Sequence, residues 1–237
     1  MTGFENRGFD HDGIGYNQAV LRPAPSAATA VRGAVLICPT IFNRNEAMDR
    51  RARMLADAGY VAVIGDFYGV DAPHGDAMLA EGRAIMADPA RFRSLLSANL
   101  DAARHAAPGL PFAAIGFCMG GMAVLEMARD GADILAAISF HGLLQTKASA
   151  PGRIAPVIMV CHGDADPMAP RDHVAAFEAE MDAARADWSL LVFGGAKHGF
   201  TDPASDTRGM DAVAYHARAD RQSWSAAMLL LDEVFPR

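Results

Sequence analysis

Six short apolar runs alternate with helical patterns along most of the chain, and this alternation limits the folds that the sequence can adopt. Each run is rich in valine, isoleucine, leucine or alanine and is bounded by glycine, proline or polar residues, as strands buried on both faces of a sheet are. Strands and helices in alternation form right-handed crossovers, which predict an α/β fold with a mostly parallel sheet covered by helices on both faces. The predicted strands are 33–38, 60–66, 112–117, 134–142, 156–163 and 188–195.

The last helical pattern of the chain is clearly amphipathic. Trp224, Met228, Leu231 and Phe235 recur at intervals of four, three and four residues, which places them on one face of a helix. We expect this face to pack against the sheet. The predicted helices are 45–58, 76–106 with a break around Asp88 and Pro89, 119–130, 171–186 and 211–234, and the segment 22–33 is interpreted as a surface loop between early strands.

The composition favours a globular protein that acts on a small molecule. The formal net charge is −7, which disfavours nucleic acid or an anionic membrane as the main partner because both select basic patches. The first residues lack the basic start and apolar run of a secretory signal, and no stretch approaches the roughly 18 apolar residues of a membrane span. We expect one domain over 1–237, located in the cytoplasm, as a monomer or weak homodimer.

One of the three cysteines lies in a sequence typical of a nucleophile. Cys118 stands in GFCMGG, which has the G-x-nucleophile-x-G form of a tight turn from strand to helix. The helix that begins there directs free N–H groups and the positive end of its dipole at the sulfur, which favours the thiolate. The motif alone fits a buried cysteine in an ordinary turn equally well. Cys38 and Cys161 lie inside apolar runs and are interpreted as small core residues.

A carboxylate and a histidine follow at the ends of later strands. Asp164 and Asp166 come after the run at 156–163, and His198 comes after the run at 188–195. The order nucleophile, acid, histidine is the one found in α/β-hydrolases. Taken singly, Asp166 fits a helix cap and His198 fits an exposed loop histidine. Together they favour catalysis, because the carboxyl ends of parallel strands meet at one edge of the sheet.

The chain resembles the dienelactone hydrolase family of α/β-hydrolases. The resemblance spans nearly the whole sequence, through GYNQAVLRP, GYVAVIGDFYG, GFCMGG, FHG, HGDADP and GGAKHGF. It implies a Cys-Asp-His triad of Cys118, Asp166 and His198, with Asp166 favoured over Asp164 by its place in the HGxxDP pattern. It also implies an oxyanion hole formed by the backbone N–H groups of Ile41 and Met119.

These roles predict hydrolysis of a small carboxylic ester or lactone through an acyl-thioester on Cys118. The reaction requires neither a metal ion nor an organic cofactor. The family has a glutamate where this chain has Thr40, and an arginine four residues after the histidine where this chain has Asp202. We therefore expect a general ester hydrolase with dienelactone as a poor substrate. Arg83 is the candidate for a second arginine of the family.

Several aromatic residues next to these motifs are candidates for the acyl pocket, although aromatics at strand ends are as often structural. They are Phe42, Tyr68 and Phe200. His141, in FHG, is interpreted as a structural residue that lies near the site.

Two other readings of the sequence remain. A non-catalytic α/β-hydrolase scaffold that binds a small molecule or a partner protein predicts a missing or misplaced triad residue. A redox sensor based on Cys118 predicts a resolving cysteine nearby, whereas both other cysteines lie in predicted strands.

Overall fold

The computed structural model describes residues 3–25, 31–150 and 152–235. Its strands are β1 (Glu5–His11), β2 (Ile14–Leu21), β3 (Gly33–Cys38), β4 (Tyr60–Ile64), β5 (Phe112–Phe117), β6 (Ala136–Phe140), β7 (Val157–Gly163) and β8 (Trp188–Phe193). Its helices are α1 (Glu46–Asp57), α2 (Asp76–Ala87), α3 (Pro89–Ala106), α4 (Met119–Arg129), α5 (Arg171–Ala183) and α6 (Ala217–Val234), with a 3₁₀ helix at Pro203–Thr207. Part of the predicted loop 22–33, residues 26–30, lies outside the described residues.

All eight strands form one sheet in the order β1-β2-β4-β3-β5-β6-β7-β8. Strands β3 to β8 are parallel, whereas β2 is antiparallel to both β1 and β4. Buried side chains form a core on each face of the sheet. The predicted α/β class and the mostly parallel sheet with two covered faces are confirmed.

The first two strands were not among the six predicted from the apolar runs. They form a hairpin in which Asp12 and Gly13 both have positive φ, 51° and 74°, as the two central residues of a type I′ turn do. The Asp-Gly pair is the sequence signal for this turn. Strand β1 lies at the sheet edge and is mostly exposed, so it lacks the apolar run that marks the central strands.

The predicted helix 211–234 begins only at Ala217. The residues before it run beside the loop that carries His198: the His198 N–H donates to Ala212 at 3.1 Å, and the His198 carbonyl accepts from Ala214 at 3.1 Å. The Ala212 carbonyl and the Ala214 N–H therefore bond to the His198 loop and do not form helical hydrogen bonds. Within α6 the predicted face is confirmed, since Trp224, Leu231 and Phe235 are buried and Met228 packs partly buried beside them.

The break predicted between α2 and α3 is also confirmed. The Asp88 carboxylate accepts hydrogen bonds from the N–H groups of Ala90 and Arg91, both at 3.1 Å, and Pro89 occupies the first position of α3. Within the described ranges, no helix combines the length and apolar character needed to cross a membrane.

Candidate active site

Cys118 lies on a strained turn between β5 and α4. Its φ is +57° and its ψ is −116°, a region that residues with a side chain rarely adopt. The turn closes tightly, because a Cβ atom on Gly116 would lie 1.9 Å from the Gly120 carbonyl oxygen, and one on Gly120 would lie 2.0 Å from that of Cys38. The Cys118 N–H donates to the Phe140 carbonyl at 3.1 Å. The chain therefore presents the thiol above the sheet, directly before the first turn of α4.

His198 and Asp166 are joined by a buried hydrogen bond. Nδ1 of His198 lies 2.7 Å from Oδ2 of Asp166, and the other carboxylate oxygen accepts from the Met168 N–H at 2.8 Å. Both side chains are buried. Asp164 instead pairs with Arg171 at the surface, at 2.8 Å. Of the two carboxylates that follow β7, only Asp166 therefore reaches the imidazole.

The remaining nitrogen of His198 is available to the thiol. Nε2 is buried and makes no well-aligned hydrogen bond to the described residues. Burial alone would lower the pKa of His198, but the negative charge on the neighbouring Cys118 sulfur, helped by the hydrogen bond to Asp166, outweighs it and raises that pKa strongly. Catalytic hydrogen bonds are often poorly aligned before substrate binds. The arrangement suits proton exchange between Nε2 and the sulfur.

The thiol of Cys118 has a lowered pKa. Burial opposes its ionisation, but the charge of the adjacent His198 imidazole and the backbone N–H groups of Met119 and Ile41 outweigh burial and hold the pKa below its usual value. The opposite holds for Cys38 and Cys161, where burial raises the thiol pKa to about 12. Cys118 is therefore the one thiol of the three whose surroundings lower its pKa.

Two backbone N–H groups converge on the sulfur from different elements. The N–H of Met119 belongs to the first residue of α4, and the N–H of Ile41 belongs to the loop after β3. Tyr68 supports this loop, since its hydroxyl donates to the Ile41 carbonyl at 2.8 Å. Burial, with the charge of Cys118 adding to it, raises the pKa of Tyr68, so the phenol stays protonated and can donate.

A cavity of about 370 Å³ opens above Cys118. Its wall contains Thr40, Phe42 and Arg83 together with Cys118 and His198. The other two candidates for pocket residues, Tyr68 and Phe200, do not contribute to this wall: Tyr68 lies behind the loop of Ile41, and Phe200 is fully buried against His141. Thr40 accepts a hydrogen bond from the Phe42 N–H at 3.2 Å, so its hydroxyl helps to shape the loop.

His141 also lies in the wall of this cavity, although sequence reasoning gave it only a structural role. Its ring packs edge-on against His198, with ring centres 5.2 Å apart, and its Nε2 lies 2.9 Å from the Thr201 hydroxyl. Burial, and then the charge of His198, holds the pKa of His141 well below its usual value. His141 is therefore a neutral side chain that packs against the imidazole of His198.

Asp202, which stands where the family has an arginine, is paired in this structure. Its Oδ2 accepts from Arg208 Nη2 at 2.8 Å, and both residues line the cavity of Cys118. The Arg208 guanidinium lies 4.6 Å from the centre of the Phe42 ring. No sequence motif pointed to Arg208. Its guanidinium reaches Asp202 only because the 3₁₀ helix at Pro203–Thr207 folds the intervening chain. The pair makes this part of the wall close to neutral.

The described residues contain no group of three or more His, Cys, Asp or Glu side chains arranged to hold a metal ion. What the site contains is a thiol with a lowered pKa, an imidazole with a carboxylate behind it, and two converging N–H groups. That set of groups suits acyl transfer.

Comparisons with known proteins agree with this chemistry. The model of the dienelactone hydrolase family matches residues 20–235. A Bradyrhizobium protein named "Probable 2-oxo-3-(5-oxofuran-2-ylidene)propanoate lactonase" is 28% identical over 214 residues, which cover 84% of this chain and 82% of that protein. An uncharacterised protein of Caenorhabditis elegans is 38% identical over 149 residues, which cover 59% of this chain and 94% of that protein.

A solved structure extends the likeness to three dimensions. The crystal structure of a dienelactone hydrolase-like promiscuous phosphotriesterase from metagenomic libraries matches with a TM-score of 0.89 and 32% sequence identity, over 98% of each chain. The predicted α/β-hydrolase fold is thereby confirmed.

Proposed function

The chain belongs to the dienelactone hydrolase family and is a carboxylic ester hydrolase, and on this premise we propose that Cys118 is its nucleophile and that the reaction passes through an acyl-thioester. The observation that carries the proposal is the bond between Asp166 and His198 Nδ1 at 2.7 Å, which leaves the buried Nε2 for the thiol.

In the first half of the reaction, the Cys118 thiolate attacks the carbonyl carbon of the ester and the electron pair of the C=O bond moves onto the oxygen. The N–H groups of Ile41 and Met119, which already converge on the sulfur, stabilise this oxyanion. The tetrahedral intermediate collapses to the thioester, and the His198 imidazolium gives its proton to the departing alkoxide. Asp166 holds the ring in the tautomer and orientation that this transfer needs.

In the second half, neutral His198 takes a proton from water as the water attacks the thioester. The oxyanion forms and collapses again, and the carboxylic acid leaves as the sulfur departs. Formation of the thioester removes the thiolate, whose charge raises the pKa of His198. The pKa of His198 therefore falls at this stage, so the imidazole stays neutral after giving up its proton and can accept one from the attacking water.

The proposed substrates are small esters and lactones with an uncharged acyl group at the reacting carbonyl. The cavity has about the volume of a small organic molecule, and within its wall the Asp202 carboxylate is paired with Arg208. The lactonase name of the Bradyrhizobium relative supports the inclusion of lactones.

The proposal is tested by steady-state hydrolysis of p-nitrophenyl acetate with the wild type, Cys118→Ala, Cys118→Ser and His198→Ala. All three variants should lose most of the activity, and alkylation of one thiol per chain should abolish it. Cys161→Ala is the matched control, because that thiol is buried in β7 and its pKa is raised. Undiminished activity in Cys118→Ala would remove Cys118 as nucleophile, and absence of any hydrolysis by the wild type would favour the non-catalytic scaffold.

A further inference from the structure

A buried carboxylate lies behind the loop that carries the Ile41 N–H. Asp66 follows the end of β4 and is 5% exposed. It pairs with no Lys, Arg or His in the part of the chain that the structure describes, and its two oxygens accept four N–H hydrogen bonds instead. A buried charge without a cation is costly unless such donors surround it. The bonds of this carboxylate are therefore a feature that the fold has to maintain.

The four donors of Asp66 come from three separate segments. Oδ1 accepts from the side-chain amide of Asn43 at 2.8 Å and from the N–H groups of Tyr68 and Gly69 at 3.0 and 3.1 Å. Oδ2 accepts from the Asn17 N–H at 3.0 Å. Strand β2, the loop after β3 and the loop after β4 therefore meet at one carboxylate.

The backbone of Asp66 is itself held from α3. The buried Asn99 side chain accepts from the Asp66 N–H at 2.9 Å and donates to the Asp66 carbonyl at 2.9 Å. Gln18 of β2 donates to the Asn99 carbonyl at 2.7 Å. The carboxylate therefore projects from a fixed point of the fold toward the loop after β3.

Asn43 connects this carboxylate to the peptide group of Ile41. The Asn43 N–H donates to the Thr40 carbonyl at 2.9 Å, which closes a β-turn with Ile41 and Phe42 at its centre. The Thr40 carbonyl and the Ile41 N–H belong to one planar trans peptide group, so they point in opposite directions. A hydrogen bond to that carbonyl therefore fixes the direction of the N–H that faces Cys118.

The conformation of Asn43 depends on its side chain. Its φ is +59°, in the left-handed region that asparagine enters more readily than most residues. Its side-chain oxygen accepts from the Phe67 N–H at 3.3 Å, while its side-chain nitrogen donates to Asp66. Both ends of the amide are therefore engaged by the loop after β4, and the turn N–H is held in place between them.

We propose that Asn43 and Asp66 are positioning residues of the oxyanion hole. Asp66 holds the Asn43 amide, Asn43 holds the Thr40–Ile41 peptide group, and that peptide group directs its N–H at the oxyanion. The inference rests on the proposed function, to which it adds the side chains that orient one of the two donors. Neither residue lines the cavity of Cys118, so both act through the backbone.

The main test is Asn43→Gly, which keeps the left-handed conformation accessible and removes only the amide. With p-nitrophenyl acetate, kcat should fall by about 10- to 100-fold, because a misdirected donor loses part of the roughly 100- to 1,000-fold effect of a donor removed outright. KM should stay within about twofold. Arg185→Gly is the matched control: Arg185 also has positive φ, 49°, but is exposed before β8, away from the carboxyl ends of the strands.

Alkylation of Cys118 separates this role from general damage to the site. Iodoacetamide reacts with the thiolate by displacement of iodide, which forms no oxyanion. Its rate constant in Asn43→Gly should therefore stay within about threefold of the wild-type value while kcat falls. A rate constant that falls as much as kcat, or a kcat that remains at the wild-type value, would overturn the inference.

A second variant tests the part played by Asp66 without replacing it. Asn43→Asp keeps a side chain of the same size, but its carboxylate would face that of Asp66 across the 2.8 Å contact that the amide now bridges. Like charges repel at this distance, so kcat should fall further than in Asn43→Gly, by about another threefold or more. A loss no greater than that of Asn43→Gly would show that Asp66 does not hold Asn43.

Failure of the proposed function gives a different result, because hydrolysis would then be absent or would persist in Cys118→Ala. In that event the direction of the Ile41 N–H decides the inference alone. It is measured as the ¹H–¹⁵N residual dipolar coupling of Ile41 in weakly aligned protein. The coupling should change in Asn43→Gly and keep its wild-type value in Arg185→Gly. An unchanged coupling in Asn43→Gly would contradict the inference.

Discussion

The Tyr68 hydroxyl donates a hydrogen bond of 2.8 Å to the carbonyl oxygen of Ile41, the residue whose own N–H is directed at the Cys118 sulfur. The carbonyl and the N–H of Ile41 belong to different peptide groups of one short loop. A hydrogen bond on one side of the residue therefore fixes the direction of the donor on the other side. Tyr68 does not line the cavity, so we expect it to act from behind the loop as a positioning residue.

Tyr68→Phe should lower kcat for p-nitrophenyl acetate by roughly tenfold with little change in KM, because a misplaced oxyanion donor affects the transition state more than the bound ester. The free energy of unfolding should fall by about 1 kcal/mol, since the Ile41 carbonyl loses its partner. Tyr16→Phe is the control, because the Tyr16 ring stacks on Phe9 in the N-terminal hairpin. A change in KM alone would contradict this role for Tyr68.

The two aspartates that follow β7 should differ sharply in their effect on the reaction. Asp166→Asn removes the charge bonded to His198 Nδ1 and favours the wrong tautomer, so kcat should fall by about four orders of magnitude, as it does in a Ser-His-Asp enzyme. Asp164→Asn breaks only the surface pair with Arg171 and should leave kcat within about twofold. Equal losses in the two variants would refute the assignment of the carboxylate.

The pH dependence of alkylation should reveal the pair formed by Cys118 and His198. Because the charge of His198 helps to lower the thiol pKa, iodoacetamide should react with Cys118 at pH values where an ordinary thiol is protonated and unreactive. In His198→Ala the inflection should move to higher pH, since burial then acts without an opposing charge. The rate is measured by quenched mass spectrometry, and the same inflection in both proteins would show that His198 does not act on the thiol.

The Asp202–Arg208 pair should control the acceptance of charge close to the reacting carbonyl. Asp202→Asn keeps a side chain that can cap Ala204 but no longer neutralises Arg208. The kcat/KM for p-nitrophenyl succinate should then rise about tenfold relative to the neutral butyrate ester. The double variant Asp202→Asn/Arg208→Met should restore the wild-type ratio, and a ratio that remained high in it would show that Arg208 is not the cation responsible.

The strands that carry the site were predictable from the sequence because they appear as apolar runs: β3, β5 and β7 are buried almost throughout, and β8, at the sheet edge, is partly buried and keeps such a run. The hairpin of β1 and β2 was predictable only from its turn, Asp12–Gly13, since the exposed strand β1 has no such run. The helical assignment of 211–216 was wrong because long-range hydrogen bonds to the His198 loop decide the structure there. Local sequence carries no trace of those partners.

The position of a side chain in the cavity wall was harder to predict than its place in a motif. Tyr68 and Phe42 both follow strands, yet Tyr68 lies behind the loop of Ile41, whereas Phe42 lines the cavity. From the sequence, Asp202 was interpreted as an unpaired charge. Its partner Arg208 comes close only because the 3₁₀ helix between them folds. A further cavity, of about 600 Å³, is lined by residues of α2, the loop after β6 and α5, elements that no motif connects.

Direct detection of the acyl-enzyme tests the central claim most directly. Wild-type protein turning over p-nitrophenyl acetate is quenched in acid, digested and mapped by mass spectrometry, with Cys118→Ala treated in parallel. The account predicts one acetyl group, on the peptide that contains Cys118, with none on the corresponding peptide of the variant. Turnover with no acetyl group on Cys118, or with the acetyl group on another residue whose replacement abolishes hydrolysis, would contradict it.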